Sequence, residues 1–372
     1  MRNMPLAPSS VVIIQPALML YRQRVYGALN QILPTRVICT EGKVQSADID
    51  FEYFELPCRN LGRFQWQTGI RSIIKKVDPA VVWIAADVNY LSSLALTFWC
   101  KRHGIKVILH GQGLIKKSGA PKLRKFMLQR WIDLADTYVG YTEKSTQSIR
   151  DQLGNRPHLV TINNRLELDS NTSQIKYQPR TGKDVMFIGR LRKGSQIDLL
   201  IDAMATINSN SSNPFTLHII GDGEYASQAS IAAAQQNWII WHGAINDREK
   251  LLEIAQQCAI GVYPGAAGLS VVTYMELGLA TIVGDDLSLM QGPEPEYIID
   301  GYNGWLYKYD DTQDLQRVLA HALISDELQQ IQMNAIATFN KLHSKSYAQE
   351  MADVIMEISE SAYNTEKDIL DK

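Results

Sequence analysis

Short apolar runs, each followed by a stretch with helical spacing, recur from one end of the chain to the other. In the first half Val11–Ile14, Thr35–Cys39, Val81–Ala85, Lys106–His110 and Thr137–Tyr141 read as strands, and Tyr21–Leu33, Gln67–Val77, Leu91–Arg102 and Pro121–Leu134 as helices. A strand with one wet face alternates apolar and polar residues. One that is apolar almost throughout is covered on both faces, which is the signature of a parallel sheet between two layers of helices. The alternation breaks at the polar segment Asn164 to Asp184 and resumes at Val185–Ile188. Helix Ile197–Ile207, strand Phe215–Ile220, helix Tyr225–Gln236, strand Trp238–His242, helix Asp247–Gln257 and strand Ala259–Tyr263 follow. Leu315–Leu323 and Asp326–Thr338 read as helices, Ser346–Ser361 as a long terminal helix, and Tyr363–Lys372 as frayed. The expectation is two doubly wound α/β domains, residues 1–168 and 184–345, joined by a linker at 169–183 and closed by a helix at 346–372 that returns to the first domain. Ligands of such sheets bind outside the carboxyl ends of the strands.

The chain has 372 residues, 45% of them hydrophobic, enough for a core in each of two domains. A net charge of −2 argues against a general nucleic-acid binder. Cys39, Cys58, Cys100 and Cys258 are scattered without metal-ligand spacing and read as reduced thiols of a cytosolic protein. No apolar run reaches membrane-spanning length, and Val11–Leu20, interrupted by Pro16, reads as a first strand and its loop rather than a signal peptide.

Chemistry concentrates between Gly261 and Leu306. A strand ending at Tyr263 runs into Pro264-Gly265-Ala266-Ala267-Gly268, then a helical run Ser270–Leu277 closed by Gly278, then a second strand Ala280–Val283. Glycines before a helix let the backbone approach a ligand, and amides at a helix start favour an anion such as a diphosphate. Glu276 lies seven residues beyond Leu269, on the same helix face and roughly 10 Å along it. Diphosphate at one end and ribose hydroxyls at the other suit a nucleotide.

These residues resemble the donor site of the retaining glycosyltransferases of family four. Their fold is GT-B: two Rossmann-like α/β domains with parallel sheets facing across a cleft. The family's Glu, seven residues, Glu pattern has its second carboxylate at Glu276, while Gly268 stands where the first would be. Gly268-Leu269-Ser270 keeps the Gly-Leu-Ser-like part. The resemblance implies donor phosphates at Gly268, Leu269 and Ser270 and ribose at Glu276. Gly189-Arg190-Leu191 is similar to the motif whose Arg, with a later Lys, clamps those phosphates. Arg190 matches the Arg. The Lys position falls on Ser195, with Lys193 two residues earlier as the substitute. Gly221-Asp222-Gly223 matches the loop under the nucleotide, Asp222 being equally readable as part of an ordinary turn, and His242-Gly243 matches a turn near the base, where a lone His is more often structural. His110, before Gly111-Gln112-Gly113, matches a His that contacts the transferred sugar; the plainer reading is a strand-end histidine with its hydrogen bonds satisfied. Glu296 opens a segment completed by Asn303-Gly304 and reads as structural, and Glu294 in the preceding proline-rich turn is a further donor-binding candidate.

Three stretches leave their readings open. Asp87-Val88-Asn89 follows a strand and suits either acceptor hydroxyls or a helix cap. Arg22 or Arg24 either faces the acceptor or lies on an exposed helix surface. Lys116 to Arg130 carries six basic residues among Phe126, Met127, Leu128 and Trp131. It suits an anionic membrane surface, or a core helix with a solvated basic face through Leu123, Met127, Trp131 and Leu134.

The expected function is that of a hexosyltransferase-type retaining glycosyltransferase. It moves a sugar from a nucleoside-diphosphate sugar to a hydroxyl of a saccharide or lipid-linked acceptor, in cell-envelope or surface polysaccharide synthesis, without metal or cofactor. The expected location is cytoplasmic, with peripheral contact at the inner face of the membrane left open. Alternatives are a nucleotide-sugar epimerase of the same fold and a non-catalytic nucleotide-sugar binder. A dinucleotide-dependent dehydrogenase is disfavoured, since no Gly-x-Gly-x-x-Gly follows the first strand.

Overall fold

The computed structural model describes residues 10–45, 49–114, 122–154, 158–168, 174–180 and 182–370. In chain order the first series is β1 (Val11–Ile14), α1 (Leu20–Ile32), β2 (Thr35–Thr40), β3 (Glu52–Leu56), β4 (Cys58–Leu61), β5 (Phe64–Gln67), α2 (Ile70–Val77), β6 (Val81–Ala85), α3 (Leu91–Arg102), β7 (Lys106–Gly111), α4 (Lys122–Leu134), β8 (Thr137–Gly140), α5 (Glu143–Leu153) and β9 (His158–Thr161). The second is β10 (Asp184–Ile188), α6 (Ile197–Ser209), β11 (Leu217–Ile220), α7 (Ala226–Gln235), β12 (Ile239–Trp241), α8 (Arg248–Gln257), β13 (Cys258–Tyr263), α9 (Ser270–Glu276), β14 (Ala280–Gly284), β15 (Gly304–Tyr307), α10 (Thr312–Ile324) and α11 (Leu328–Leu342). Helix α12 (Tyr347–Leu370) closes the chain.

Two compact units result, residues 1–168 with 345–372 and residues 169–344. The first holds a seven-stranded sheet in the order β3-β2-β1-β6-β7-β8-β9. Every pairing in it is parallel. Alternate residues of β1 serve opposite faces. Val11 and Ile13 pack with α1 and with Tyr347, Met351 and Ile355 of α12, while Val12 and Ile14 pack with residues of α2, α3 and α4. Covering on both sides is why the strand is apolar at all four positions. Helix α12 is tied down by polar contacts as well: the Arg165 guanidinium donates to Glu350 and to the Lys345 carbonyl, and the Ala348 N–H donates to Glu167.

The second unit holds a six-stranded sheet, β12-β11-β10-β13-β14-β15. It too is parallel throughout. Its strand order reverses between β10 and β13, and the reversal determines where a ligand can enter.

The boundaries differ from expectation in places. Lys345 belongs with the first unit. Within the expected linker, Ile175 exchanges two hydrogen bonds with Asn340 and Tyr177 donates to Gln332, so the described residues 174–180 lie on the second unit. Gln67 ends the small antiparallel pair of β4 and β5 instead of starting a helix. Its side chain is buried against the Thr40 hydroxyl, and α2 begins only after Gly69 turns the chain at φ 93°. Strands β3, β4, β5, β9 and β15 and helix α5 were not anticipated. Helix α5 is polar over most of its length and starts at Thr142, whose hydroxyl accepts the Ser145 N–H. The terminal helix continues to Leu370 instead of fraying. None of the described helices is long and apolar enough to cross a membrane.

Candidate functional site

At the strand-order reversal of the second unit the ladder between β10 and β13 runs to Met186 and Gly261. Beyond that pair Tyr274 of α9 takes over. Its hydroxyl accepts the Ile188 N–H at 2.8 Å and donates to the Val262 carbonyl at 3.1 Å. The ring lies on Gly261, where any side chain would collide with it. The strands thus part at their carboxyl ends with both backbone groups satisfied, at the strand reversal where sheets of this kind hold their ligand crevice.

The loops that follow these strands approach more closely than side chains allow. A Cβ at Gly189 would stand 2.6 Å from the Tyr263 ring and 3.4 Å from the Ser270 hydroxyl. One at Gly221, where φ is 145°, would strike the Gly189 carbonyl, and one at Gly265 would strike the Gly194 carbonyl. The Ala266 N–H donates to that same carbonyl at 2.8 Å, and the Gly221 N–H to the Gly243 carbonyl at 2.8 Å. The Tyr307 hydroxyl pins the Pro264 carbonyl from below. Gly189, Gly221, Gly265 and Ser270 are therefore brought to one place, lined by backbone.

The basic residues divide differently from the sequence expectation. Arg190 and Lys193 are both exposed, and the Lys193 N–H is held by Glu224. Ser195, at the family's Lys position, is fully buried; its hydroxyl bonds to both the N–H and the carbonyl of Arg192 and builds a tight turn. The side chain that reaches the crevice wall is Arg192. Its charge acts on the Tyr263 hydroxyl, and its guanidinium carbon lies 3.8 Å from the Cβ position of Gly194. Sequence matching passed over Arg192 because no gap-free alignment puts it on the clamp.

Leu269 precedes α9 with no side-chain cap. At the other end of this seven-residue helix Glu276 is 11% exposed and accepts a hydrogen bond from Arg248 Nε at 2.8 Å. Arg248 opens α8 behind its cap Asp247. Glu294 is 2% exposed and approaches Gly268 from a separate loop: its Oε2 lies 3.6 Å from the Cβ position there. The Asn303-Gly304 segment is structural. Asn303, fully buried, bonds to Ile299 N–H, the Tyr297 carbonyl and the Thr338 hydroxyl. Asp222 accepts from its neighbour Gly223, and His242 joins a partly buried chain to His218 and Asp184, in keeping with the plainer readings of both.

In the first unit His110 is 1% exposed, with Nε2 3.1 Å from the Tyr347 hydroxyl and its ring edge-on to Trp83 and Tyr141. Burial, and secondarily the charge of Arg22, holds its pKa well below 6.5, so the imidazole is neutral. Arg22 is itself buried, donating to Asn164 and facing the rings of Tyr21, Tyr141 and Tyr347; Arg24 is exposed. Asp87 accepts the Asn89 N–H, while α3 starts at Tyr90 without a side-chain cap, so neither residue caps that helix. Of the basic segment, residues 115–121 lie outside the described residues. In α4 Trp131 is buried and bonds Thr97, whereas Leu123 and Phe126 are 55% and 52% exposed; the expected core stripe holds only toward the C-terminal end.

Residues 170–338 match the family model of the glycosyl transferases group 1. No curated protein matches the chain. Among solved structures, the lipopolysaccharide outer core galactosyltransferase WaaB in its apo form aligns with a TM-score of 0.67 at 16% identity, over 94% of this chain and 99% of that one. HepE of Anabaena, solved with UDP and glucose, aligns with a TM-score of 0.67 at 14% identity, over 94% of this chain and 100% of that one. Sucrose-phosphate synthase of Thermosynechococcus elongatus reaches 0.70 at 14% identity, over 95% of this chain and 100% of that one. These likenesses define the fold as GT-B, with two Rossmann-like units.

The buried state of His110 has a measurable consequence. With its folded pKa depressed, the unfolded chain takes up the proton first as pH falls through 6.5. The stability from the neutral imidazole is complete above that value and is lost below it. The melting temperature should fall between about pH 7 and pH 5, and fall less steeply in His110→Gln, whose side chain carries no titrating group. Equal slopes for the two proteins would mean that His110 is not held neutral.

Proposed function

We propose that the protein is a retaining glycosyltransferase of hexosyltransferase type. It takes a sugar from a nucleoside-diphosphate sugar and passes it to a hydroxyl of a saccharide or lipid-linked acceptor in cell-envelope or surface polysaccharide synthesis. The observation that carries this reading is the backbone-lined crevice at the strand reversal of the second unit, with Glu276 at the far end of α9. The match of residues 170–338 to the glycosyl transferases group 1 supports it, as does the presence of UDP and glucose in HepE. In this assignment the amides of Gly268, Leu269 and Ser270 and the side chains of Arg190 and Arg192 carry the diphosphate charge, with Lys193 at the margin. Glu276 accepts the ribose hydroxyls. Gly189 and Gly221 keep the floor clear, and Glu294 lies on the sugar side. The departing diphosphate leaves and the acceptor enters on one face, the leaving group taking the acceptor proton. The first unit binds the acceptor, and buried His110 acts as a positioning residue under the Gly111–Gly113 loop.

A peripheral membrane contact is part of the proposal because Leu123 and Phe126 project from α4 beside the exposed Lys125 and Arg130. Apolar side chains ringed by cations suit an anionic bilayer surface.

Three outcomes are expected. Glu276→Ala should keep its circular dichroism spectrum and weaken nucleotide-sugar binding by about tenfold or more, because charge-assisted bonds to the ribose are worth ~1.5–3 kcal/mol each. Unchanged affinity in the folded variant would place the ribose elsewhere. Transfer activity should survive EDTA, since the diphosphate charge is assigned to arginines and amides; loss with EDTA and recovery with manganese would refute that assignment. Reversing the charges of Lys122, Arg124 and Lys125 should reduce binding to anionic vesicles, and salt should do the same to the unaltered protein. A wild-type protein that ignores such vesicles at low salt has only a solvated helix face.

A further inference from the structure

The small ribbon of β4 and β5 stands outside the parallel wind of the first sheet. It follows the carboxyl end of β3 and is bonded to the carboxyl ends of two neighbouring strands. The Gln65 N–H donates to the Asn89 carbonyl at 2.7 Å, in the loop after β6. The Gln67 amide donates to the Thr40 hydroxyl at 3.1 Å, at the end of β2, and the Gln67 N–H to the Ser92 hydroxyl at 3.1 Å. The ribbon therefore borders the edge at which sheets of this kind hold their ligands.

Its two faces are the reverse of those of an ordinary surface ribbon. Strand residues alternate faces, and the register pairs Cys58 with Gln67, Arg59 with Trp66, Asn60 with Gln65 and Leu61 with Phe64. Gln65 and Gln67 share the face turned to the protein, and Gln67 is 2% exposed. The other face carries Arg59, Leu61, Phe64 and Trp66. Leu61 is 51% and Trp66 37% exposed, Arg59 is exposed and Phe64 half-buried. The Arg63 guanidinium lies 4.8 Å from the centre of the Phe64 ring. A solvated antiparallel pair turns its polar residues outward. Here the glutamines point in and the rings point out, and exposed apolar side chains gathered on one face mark a surface that binds.

Arg59 and Arg63 are the only charged residues of the ribbon, and no Asp or Glu occurs from Pro57 to Val77. We propose that this face recognises an anionic saccharide. Trp66 and Phe64 cover the C–H faces of its sugar rings, and Arg59 and Arg63 pair with a phosphate or carboxylate that it carries. Aromatic side chains bury a large area each, and the guanidinium fork matches both anions in bidentate fashion. The proposal rests on the reading of the first unit as the acceptor-binding one, and narrows its acceptor to a charged saccharide. Three apolar side chains between two cations, at the ligand edge of a sheet, match the breadth of a short oligosaccharide better than that of a bilayer.

The test measures binding of maltotriose, a phosphate monoester of maltotriose and trigalacturonate by calorimetry at low salt. The proteins are wild type, Trp66→Ala, Arg59→Ala/Arg63→Ala and Arg59→Lys/Arg63→Lys. Wild type should bind at least one charged probe about tenfold or more tighter than maltotriose, and salt should erode the difference. Preference for the phosphate monoester identifies a phosphate as the partner, preference for trigalacturonate a carboxylate, and equal preference a site for either. Trp66→Ala should weaken binding of every probe by about tenfold or more at an unchanged melting temperature. Trp66→Leu, apolar without the flat ring, takes its place if the Ala variant melts early. The paired Ala variant should bring charged and neutral probes to within about threefold of each other, with maltotriose binding unchanged. The paired Lys variant keeps the charge without the fork and should fall between.

A wild type that binds no probe, or binds charged and neutral ones alike, overturns the proposal, as does unchanged binding in the folded Trp66 variants. Wild-type binding to phosphatidylglycerol vesicles that is lost in Trp66→Ala, with no probe bound, makes the ribbon a membrane contact and overturns it too. UDP-, GDP- and ADP-glucose are measured beside the probes. A wild type that binds one of these nucleotide-sugars and no probe removes only the role of the ribbon. One that binds a charged probe and no nucleotide-sugar removes the donor-site reading and leaves the saccharide surface standing.

Discussion

One hydroxyl group decides the shape of the second unit. Tyr274 accepts the Ile188 N–H and donates to the Val262 carbonyl, so it replaces ladder bonds that β10 and β13 would otherwise exchange. An N–H or carbonyl left unpaired in a buried sheet costs on the order of 1–3 kcal/mol, and this hydroxyl satisfies one of each. Gly261 is the sequence condition for it, since the tyrosine ring occupies the space of its side chain. The close loop contacts at Gly189, Gly221 and Gly265 lie downstream of this parting of strands.

Much of the architecture was legible because the inner strands of the two parallel sheets have no wet face. Val11–Ile14 and Val81–Ala85 are apolar at every position, Ala280–Val283 at all but Thr281, and each is a strand in the structure. Where an element has a wet face the pattern fades. Strand β3 runs largely exposed through Glu52, Tyr53 and Glu55, and α5 is built on Ser145, Thr146 and Ile149 with charged residues around them. The buried hydroxyls of α5 pair with Thr142 and Thr161, and nothing in a hydropathy pattern signals such pairs.

The candidate site was legible in its parts and not in its pairings. Gly189, Gly221, Ser270 and Glu276 all fall at the carboxyl edge or on the helix beside it, as strand ends dictate. The side chain that meets the crevice wall is Arg192, two residues beyond the motif arginine. The partner of Glu276 is Arg248, from a different βα unit. The approach of Glu294 to Gly268 depends on two backbone bonds to Ala267. Contacts of this kind join residues distant in sequence through loop geometry, which spacing along one chain segment does not encode.

The return of the last helix sets an order of events in synthesis. Tyr347, Met351, Ile355 and Ile358 belong to the same core as Val11, Tyr26 and Val37. The first unit therefore completes its packing only after the whole second unit has been made. At about 5–20 residues per second, that leaves the α12-facing side of the first sheet uncovered on the order of ten seconds or more. The exposed side is the one that will receive Tyr347 against His110. Through that interval the first unit stays incomplete, and a holding chaperone has a defined apolar target.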